Sequence, residues 1–168
     1  MENLKFTLEP SATPVLASER ARLLENPGFG SLFTDHMAMI RYSEAEGWHD
    51  AKVTKREPIL MDPASSVLHY AQEIFEGMKA YRLSDGATAL FRPEENAKRF
   101  QESARRMAMP ELPQKAFLDS VEALVDIDRE WFPSVEGGSL YLRPFMFASE
   151  VFLGVRPAKE YLYLVIAS

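Results

Sequence analysis

Tyr141 and Arg143 stand two residues apart in the run Ser139-Leu140-Tyr141-Leu142-Arg143-Pro144-Phe145-Met146-Phe147. Read as a strand, its side chains alternate. Tyr141, Arg143, Phe145 and Phe147 then share one face, while Leu140, Leu142 and Met146 occupy the other. The hydroxyl and the guanidinium project side by side, about 7 Å apart by strand rise. Such a pair can hold a carboxylate between aromatic walls. A plainer reading has Arg143 leaving the core to meet one of the chain's 25 acidic residues. Strand geometry alone leaves both open.

Other residues carry weaker signals. Arg92 and Arg99 flank the first turns of a helix opened by Pro93, and an arginine there can clamp a phosphate bidentately; a solvated helix arginine is the simpler reading. Lys79 lies in a hairpin strand and has an amine able to form imines, but nothing around it separates it from a surface lysine. Gly28-Phe29-Gly30-Ser31 begins like a dinucleotide loop. Phe33 occupies the place of its third glycine and no strand leads in, so the segment reads as a turn. Neither a G-x-S-x-G elbow nor a Walker sequence occurs. The three histidines, His36, His49 and His69, lack metal-ligand spacing. Cysteine is absent, which removes disulfides, thiolate metal sites and cysteine nucleophiles.

The chain that must position these residues has 168 residues, 19 basic and 25 acidic, for a formal charge of −6. Its 46% apolar and 26% charged content is that of a globular protein. At this length roughly 70% of the unfolded surface can be buried, enough for one large or two small domains. The acidic balance, with no basic run longer than Arg105-Arg106, argues against nucleic acid. No apolar stretch approaches the ~18 residues of a membrane span. The N-terminus lacks the basic-then-apolar build of a signal peptide. A cytoplasmic protein that binds neither nucleic acid nor membrane is expected.

Residues 1–30 read as an extended arm with a helix-like stretch at 18–24 and a turn at Asn26-Pro27-Gly28. Residues 31–168 read as one domain. Strands are predicted at 37–42 and 48–55, then a hairpin of 78–82 and 88–92 around Ser84-Asp85-Gly86. His69-Tyr70 and the Glu73–Gly77 segment read as a packed turn leading into a strand. Pro93, Glu94 and Glu95 open a helix with Ala97, Phe100, Ala104 and Met107 as its apolar stripe. A second helix is predicted at 114–131, burying Phe117, Val121, Leu124, Val125 and Trp131. Strands at 139–149 and 161–167 complete an α+β domain, with a mainly antiparallel sheet and two packed helices. Residues 161–167 are nearly all apolar, the pattern of a strand buried on both faces. The expectation is that this is the front part of a longer protein.

Five segments together carry a family resemblance. They are Phe33-Thr34-Asp35-His36-Met37, the run from Leu68 to Tyr81, Leu90-Phe91-Arg92-Pro93 with Asn96 and Arg99, Ser139 to Pro144, and Leu153-Gly154-Val155. In this order they resemble branched-chain amino acid aminotransferases, fold-type IV enzymes that use pyridoxal phosphate, and the long arm resembles the subclass that includes the mammalian enzymes. The resemblance covers about residues 29–168 and implies the small N-terminal domain alone. It implies that Arg99 binds the cofactor phosphate. It implies that Phe75 and Phe29 wall the side-chain pocket, and that Tyr141 and Arg143 receive substrate carboxylates. Tyr70, Leu153 and Val155 match residues that reach the other subunit's active site, hence a homodimer. The family's imine-forming lysine matches nothing in this sequence and belongs to a second, larger domain, so this chain is not expected to transaminate alone. Alternatives are a D-amino acid aminotransferase, an aminodeoxychorismate lyase, or a noncatalytic assembly domain.

Overall fold

The computed structural model describes residues 4–134 and 137–168. Among them, eight strands form one sheet: β1 (Thr7–Glu9), β2 (His36–Ser43), β3 (Gly47–Lys55), β4 (Glu73–Phe75), β5 (Met78–Arg82), β6 (Thr88–Leu90), β7 (Ser139–Ala148) and β8 (Glu160–Ala167). The order across the sheet is β1-β3-β2-β8-β7-β5-β6, with β4 also pairing to β7. Every pairing between these strands is antiparallel except β1 with β3. The helices are α1 (Ala17–Leu24), α2 (Val67–Tyr70), α3 (Pro93–Arg106) and α4 (Gln114–Ile127), with a 3-10 turn at Arg129–Trp131. The fold is α+β, as the pattern of elements predicts.

Strand β8 explains the unbroken apolar run at 161–167. It lies between β2 and β7, so both its faces are covered. Tyr161, Tyr163 and Val165 join the core beneath α3 and α4, while Leu162 and Leu164 join Met37, Met39 and Phe147 on the opposite face. Phe100 of α3 and Phe117 of α4 bracket the Tyr163 ring, at 5.5 and 6.1 Å between centroids. The buried Tyr163 hydroxyl meets Ser120 Oγ at 3.0 Å, so it is not left unpaired. Burial pushes that phenol well above its usual range.

Four local expectations need correction. Strand β1 lies within what the sequence presents only as an extended arm, because three residues are too few for an alternation pattern. Met107 is not part of the buried stripe: α3 ends there and leaves it partly exposed. The second helix stops at Ile127 rather than 131. The packed turn predicted at His69-Tyr70 is a single helical turn, ended by Ala71 at φ +51°, with Tyr70 facing out.

Asp128, just past α4, has a tertiary partner. It takes the His36 backbone N–H at 3.1 Å and lies 2.6 Å from His36 Nδ1. His36 Nε2 accepts the Ser11 backbone N–H at 2.9 Å, which leaves the ring proton on Nδ1, donated to Asp128. Asp35 beside it accepts from Val15 N–H and Trp131 Nε1–H, both at 2.9 Å. These two adjacent residues dock the arm against β2 and α4, and the arm then delivers residues 26–33 to the sheet's open face.

Candidate functional site

The helices cover one face of β7, and the chemistry lies on the other. Leu140, Leu142 and Met146 are buried on the helix side, whereas Tyr141, Arg143 and Phe145 are half-buried on the opposite face. The alternation read from sequence therefore stands. The side chains nevertheless converge rather than standing 7 Å apart: Arg143 Nη2 donates to the Tyr141 hydroxyl at 2.7 Å. The Arg143 guanidinium lies 4.4 Å from the Phe75 ring centroid, a cation–π distance. Phe29 meets Tyr141 edge-on at 5.1 Å. Phe29 and Phe75 are 77% and 63% exposed, so the aromatic walls stand open to solvent.

Among the described residues, no carboxylate pairs with Arg143. Its Nε is buried without an acceptor. The plainer reading, an arginine leaving the core for a structural acid, does not hold. Because the Tyr141 oxygen accepts from Arg143, its own proton is free to be donated elsewhere. A cavity of about 240 Å³ beside the pair is lined by Phe29, Gly30, Phe33, Tyr141, Arg143, Ile166 and Ser168. Gly28 and Gly30 lie at φ +66° and +69°, where only glycine is at ease. They set the loop that presents Phe29.

Arg99 lies on α3 and is half-exposed, but it is not merely solvated. Glu76 receives its Nε at 3.1 Å and its Nη2 at 2.8 Å. The same carboxylate accepts from Asn96 Nδ2 at 2.8 Å. The bonds from Glu76 hold the Arg99 pKa above its ordinary value. Nη1 has no partner among the described residues, and the side chain lines a cavity of about 330 Å³ with Gly77, Lys79, Tyr81, Arg92 and Asn96. An anchored guanidinium with free N–H groups, beside Arg92 and Lys79, suits a phosphate. Lys79 is exposed on β5, opposite Tyr141 across the strand pair.

Glu76 and Gly77 receive no separate role from the sequence, yet they link the two halves. They separate β4 from β5, both of which pair with β7. Glu76 N–H reaches the Pro144 carbonyl at 2.8 Å, and Asn96 Nδ2 reaches the Gly77 carbonyl at 3.3 Å. The signal available in sequence is a lone acid followed by glycine between two short apolar runs.

Tyr70, Leu153 and Val155 are not brought to this site. Leu153 and Val155 sit on the loop after β7, beyond Phe147 and Ala148, and Val155 is 97% exposed. That loop is tied to the segment before α2 by the Ser65–Val151 bridge and by Phe152 N–H to the Ala64 carbonyl at 3.1 Å. Leu60, Leu68, Tyr70 and Val151 are exposed on the same two segments. Among the described residues, no helix is long and apolar enough to cross a membrane, and no group of three or more metal-ligating side chains is present.

Comparison with known proteins adds a consistent set of relatives. No family model matches the chain. It is 59% identical over 162 residues to a probable branched-chain-amino-acid aminotransferase from Streptomyces coelicolor, covering 96% of this chain and 45% of that protein. It is 50% identical over 167 residues to the branched-chain-amino-acid aminotransferase of Mycobacterium tuberculosis (strain H37Rv), covering 99% and 45%. The chain thus spans a little under half the length of these curated relatives. Its fold matches the Escherichia coli branched-chain amino acid aminotransferase with a TM-score of 0.58 at 21% identity, over 78% of this chain and 40% of that one. It also matches a second bacterial branched-chain amino acid aminotransferase, from T.th., solved with N-(5'-phosphopyridoxyl)-L-glutamate. That match has a TM-score of 0.55 at 26% identity, over 77% and 40%.

Proposed function

We propose that this chain, which matches about 40–45% of the length of branched-chain-amino-acid aminotransferases along most of its own, is the N-terminal small domain of such an enzyme. The reaction moves an amino group between leucine, isoleucine or valine and 2-oxoglutarate, yielding a branched 2-oxo acid and glutamate. The observation that carries this reading is Arg143, a cation without an acid partner, bonded to Tyr141 and stacked on Phe75.

The exchange asks one site to accept an apolar side chain and a carboxylate side chain in turn. Phe29 and Phe75 offer apolar surface to the first. Arg143 and the Tyr141 proton offer charge-assisted hydrogen bonds to the second, each worth about 1.5–3 kcal/mol. When the side chain is apolar, Tyr141 and Phe75 still shield the guanidinium, so its charge is not left bare. Pyridoxal phosphate, when bound, supplies the electron-withdrawing ring that carries the amino group between substrates. Arg99, anchored by Glu76, would hold its phosphate. The imine-forming lysine would lie in a second domain, of the kind that makes up the remaining length of the relatives. Exposed Tyr70, Leu153 and Val155 would face the site of a second copy, making the enzyme a homodimer.

The test is a transamination assay on the full-length protein loaded with pyridoxal phosphate. Leucine and 2-oxoglutarate should yield glutamate, with D-alanine a poor donor. No transfer from leucine, or a preference for D-alanine, would overturn the reading.

A further inference from the structure

Gly77 lies on the seam between the two halves of the site, and its backbone conformation is not what demands glycine: its φ lies outside the left-handed range. Space demands it. A Cβ at this position would fall 2.5 Å from the Tyr141 hydroxyl oxygen and 3.3 Å from its Cζ. The backbone has little freedom to withdraw, because Asn96 holds the Gly77 carbonyl and the Pro144 carbonyl holds Glu76 N–H. On its other side Tyr141 meets the Phe29 ring at 5.1 Å. The phenol is therefore seated between Phe29 and the bare Cα of Gly77, and that seat sets its hydroxyl 2.7 Å from Arg143 Nη2.

We infer that Gly77 is a specificity-determining positioning residue: its missing side chain seats the Tyr141 hydroxyl against Arg143, and so builds the receptor for the side-chain carboxylate of a dicarboxylic substrate. This rests on the function proposed above. A methyl group here displaces the far end of Tyr141 and parts it from Arg143, while the aromatic walls that meet an apolar side chain persist. The effect therefore falls on 2-oxoglutarate and glutamate, and spares leucine and its 2-oxo acid.

The experiment is a double-mutant cycle in the full-length enzyme, with Gly77→Ala, Tyr141→Phe and both together. Gly77→Ala should lower kcat/KM for 2-oxoglutarate about tenfold or more, and for the 2-oxo acid of leucine by less than about threefold. In the Tyr141→Phe background, where the clashing oxygen is gone, Gly77→Ala should change the 2-oxoglutarate value by less than about threefold. Equal losses for both substrates, or the same tenfold loss in both backgrounds, would overturn the inference. If Gly77→Ala does not fold, Tyr141→Phe must restore folding by circular dichroism; a chain unfolded in both backgrounds overturns it too. An unmutated enzyme inactive on both substrates refutes the proposed function instead. The inference is then decided by a crystal structure of Gly77→Ala, which must part the Tyr141 hydroxyl from Arg143 Nη2 beyond the roughly 3.5 Å limit of a hydrogen bond; an intact contact there overturns it.

Discussion

Glu76 grips Arg99 through two bonds, Nε at 3.1 Å and Nη2 at 2.8 Å, and is itself nearly buried. The grip fixes the guanidinium plane and leaves Nη1 facing the cavity beside Gly77 and Lys79. Without Glu76, the long Arg99 side chain regains rotamer freedom that binding a phosphate must then remove. Arg99→Ala should weaken pyridoxal phosphate binding to the full-length protein by about 1.5–3 kcal/mol, the worth of a charge-assisted contact. Glu76→Gln keeps the shape but not the charge, and should weaken it by a smaller amount. Fluorescence titration with the cofactor checks both. Unchanged affinity in Arg99→Ala would return the residue to a surface ion-pair role.

Asp128 should matter for stability out of proportion to its place past a helix end. Removing its carboxylate strands the His36 N–H and ring proton, both buried. An unsatisfied buried donor costs about 1–3 kcal/mol, so Asp128→Ala should lose about 2–4 kcal/mol in urea unfolding. The arm should also loosen at Ser11, seen as faster hydrogen exchange there. A loss under about 0.5 kcal/mol, within the range of ordinary surface changes, would contradict this.

Much of this architecture is legible in the sequence, and the misses share a cause. The central strand at 161–167, the Asp85-Gly86 hairpin and the two helices each announce themselves within a short window of sequence. The shared face of Tyr141 and Arg143 follows from alternation alone. The contact between their tips does not, because it depends on Gly77, 64 positions before Tyr141 in the chain (141 − 77). The Asp128–His36 pair spans 92 positions, so nothing near Ile127 signals why α4 stops. The role of Glu76 is hidden for the same reason: its partners lie on a helix about 20 residues on.

The loop carrying Leu153 and Val155 is held by Glu150, which accepts from Arg156 at 2.8 and 3.0 Å and from Lys159 N–H at 2.6 Å. Chiefly the Arg156 hydrogen bonds hold its carboxyl below the usual range. A lowered pKa in the folded state means that the stabilisation is complete above the ordinary carboxyl value. It is lost as pH falls through the lowered one. Hydrogen exchange at residues 151–158 should therefore stay slow near neutrality, allowing for the intrinsic rate, and lose protection only under acid. Glu150→Gln should show reduced protection already at about pH 7, where the parent carboxylate is fully ionised. Equal protection in variant and parent at neutrality would contradict this role.

The central claim is that Arg143 receives the side-chain carboxylate of the dicarboxylic substrate, and Arg143→Met tests it most directly. Methionine keeps length and apolar bulk but deletes the charge, so a branched side chain can still pack against Phe75. In the full-length enzyme, kcat/KM for glutamate and 2-oxoglutarate should fall about 10²-fold or more, as expected for a lost charged hydrogen bond of about 3 kcal/mol. Values for leucine and isoleucine should move by less than about tenfold. Equal losses for glutamate and leucine would contradict the claim, and would assign Arg143 to the fold or to a carboxylate both substrates share.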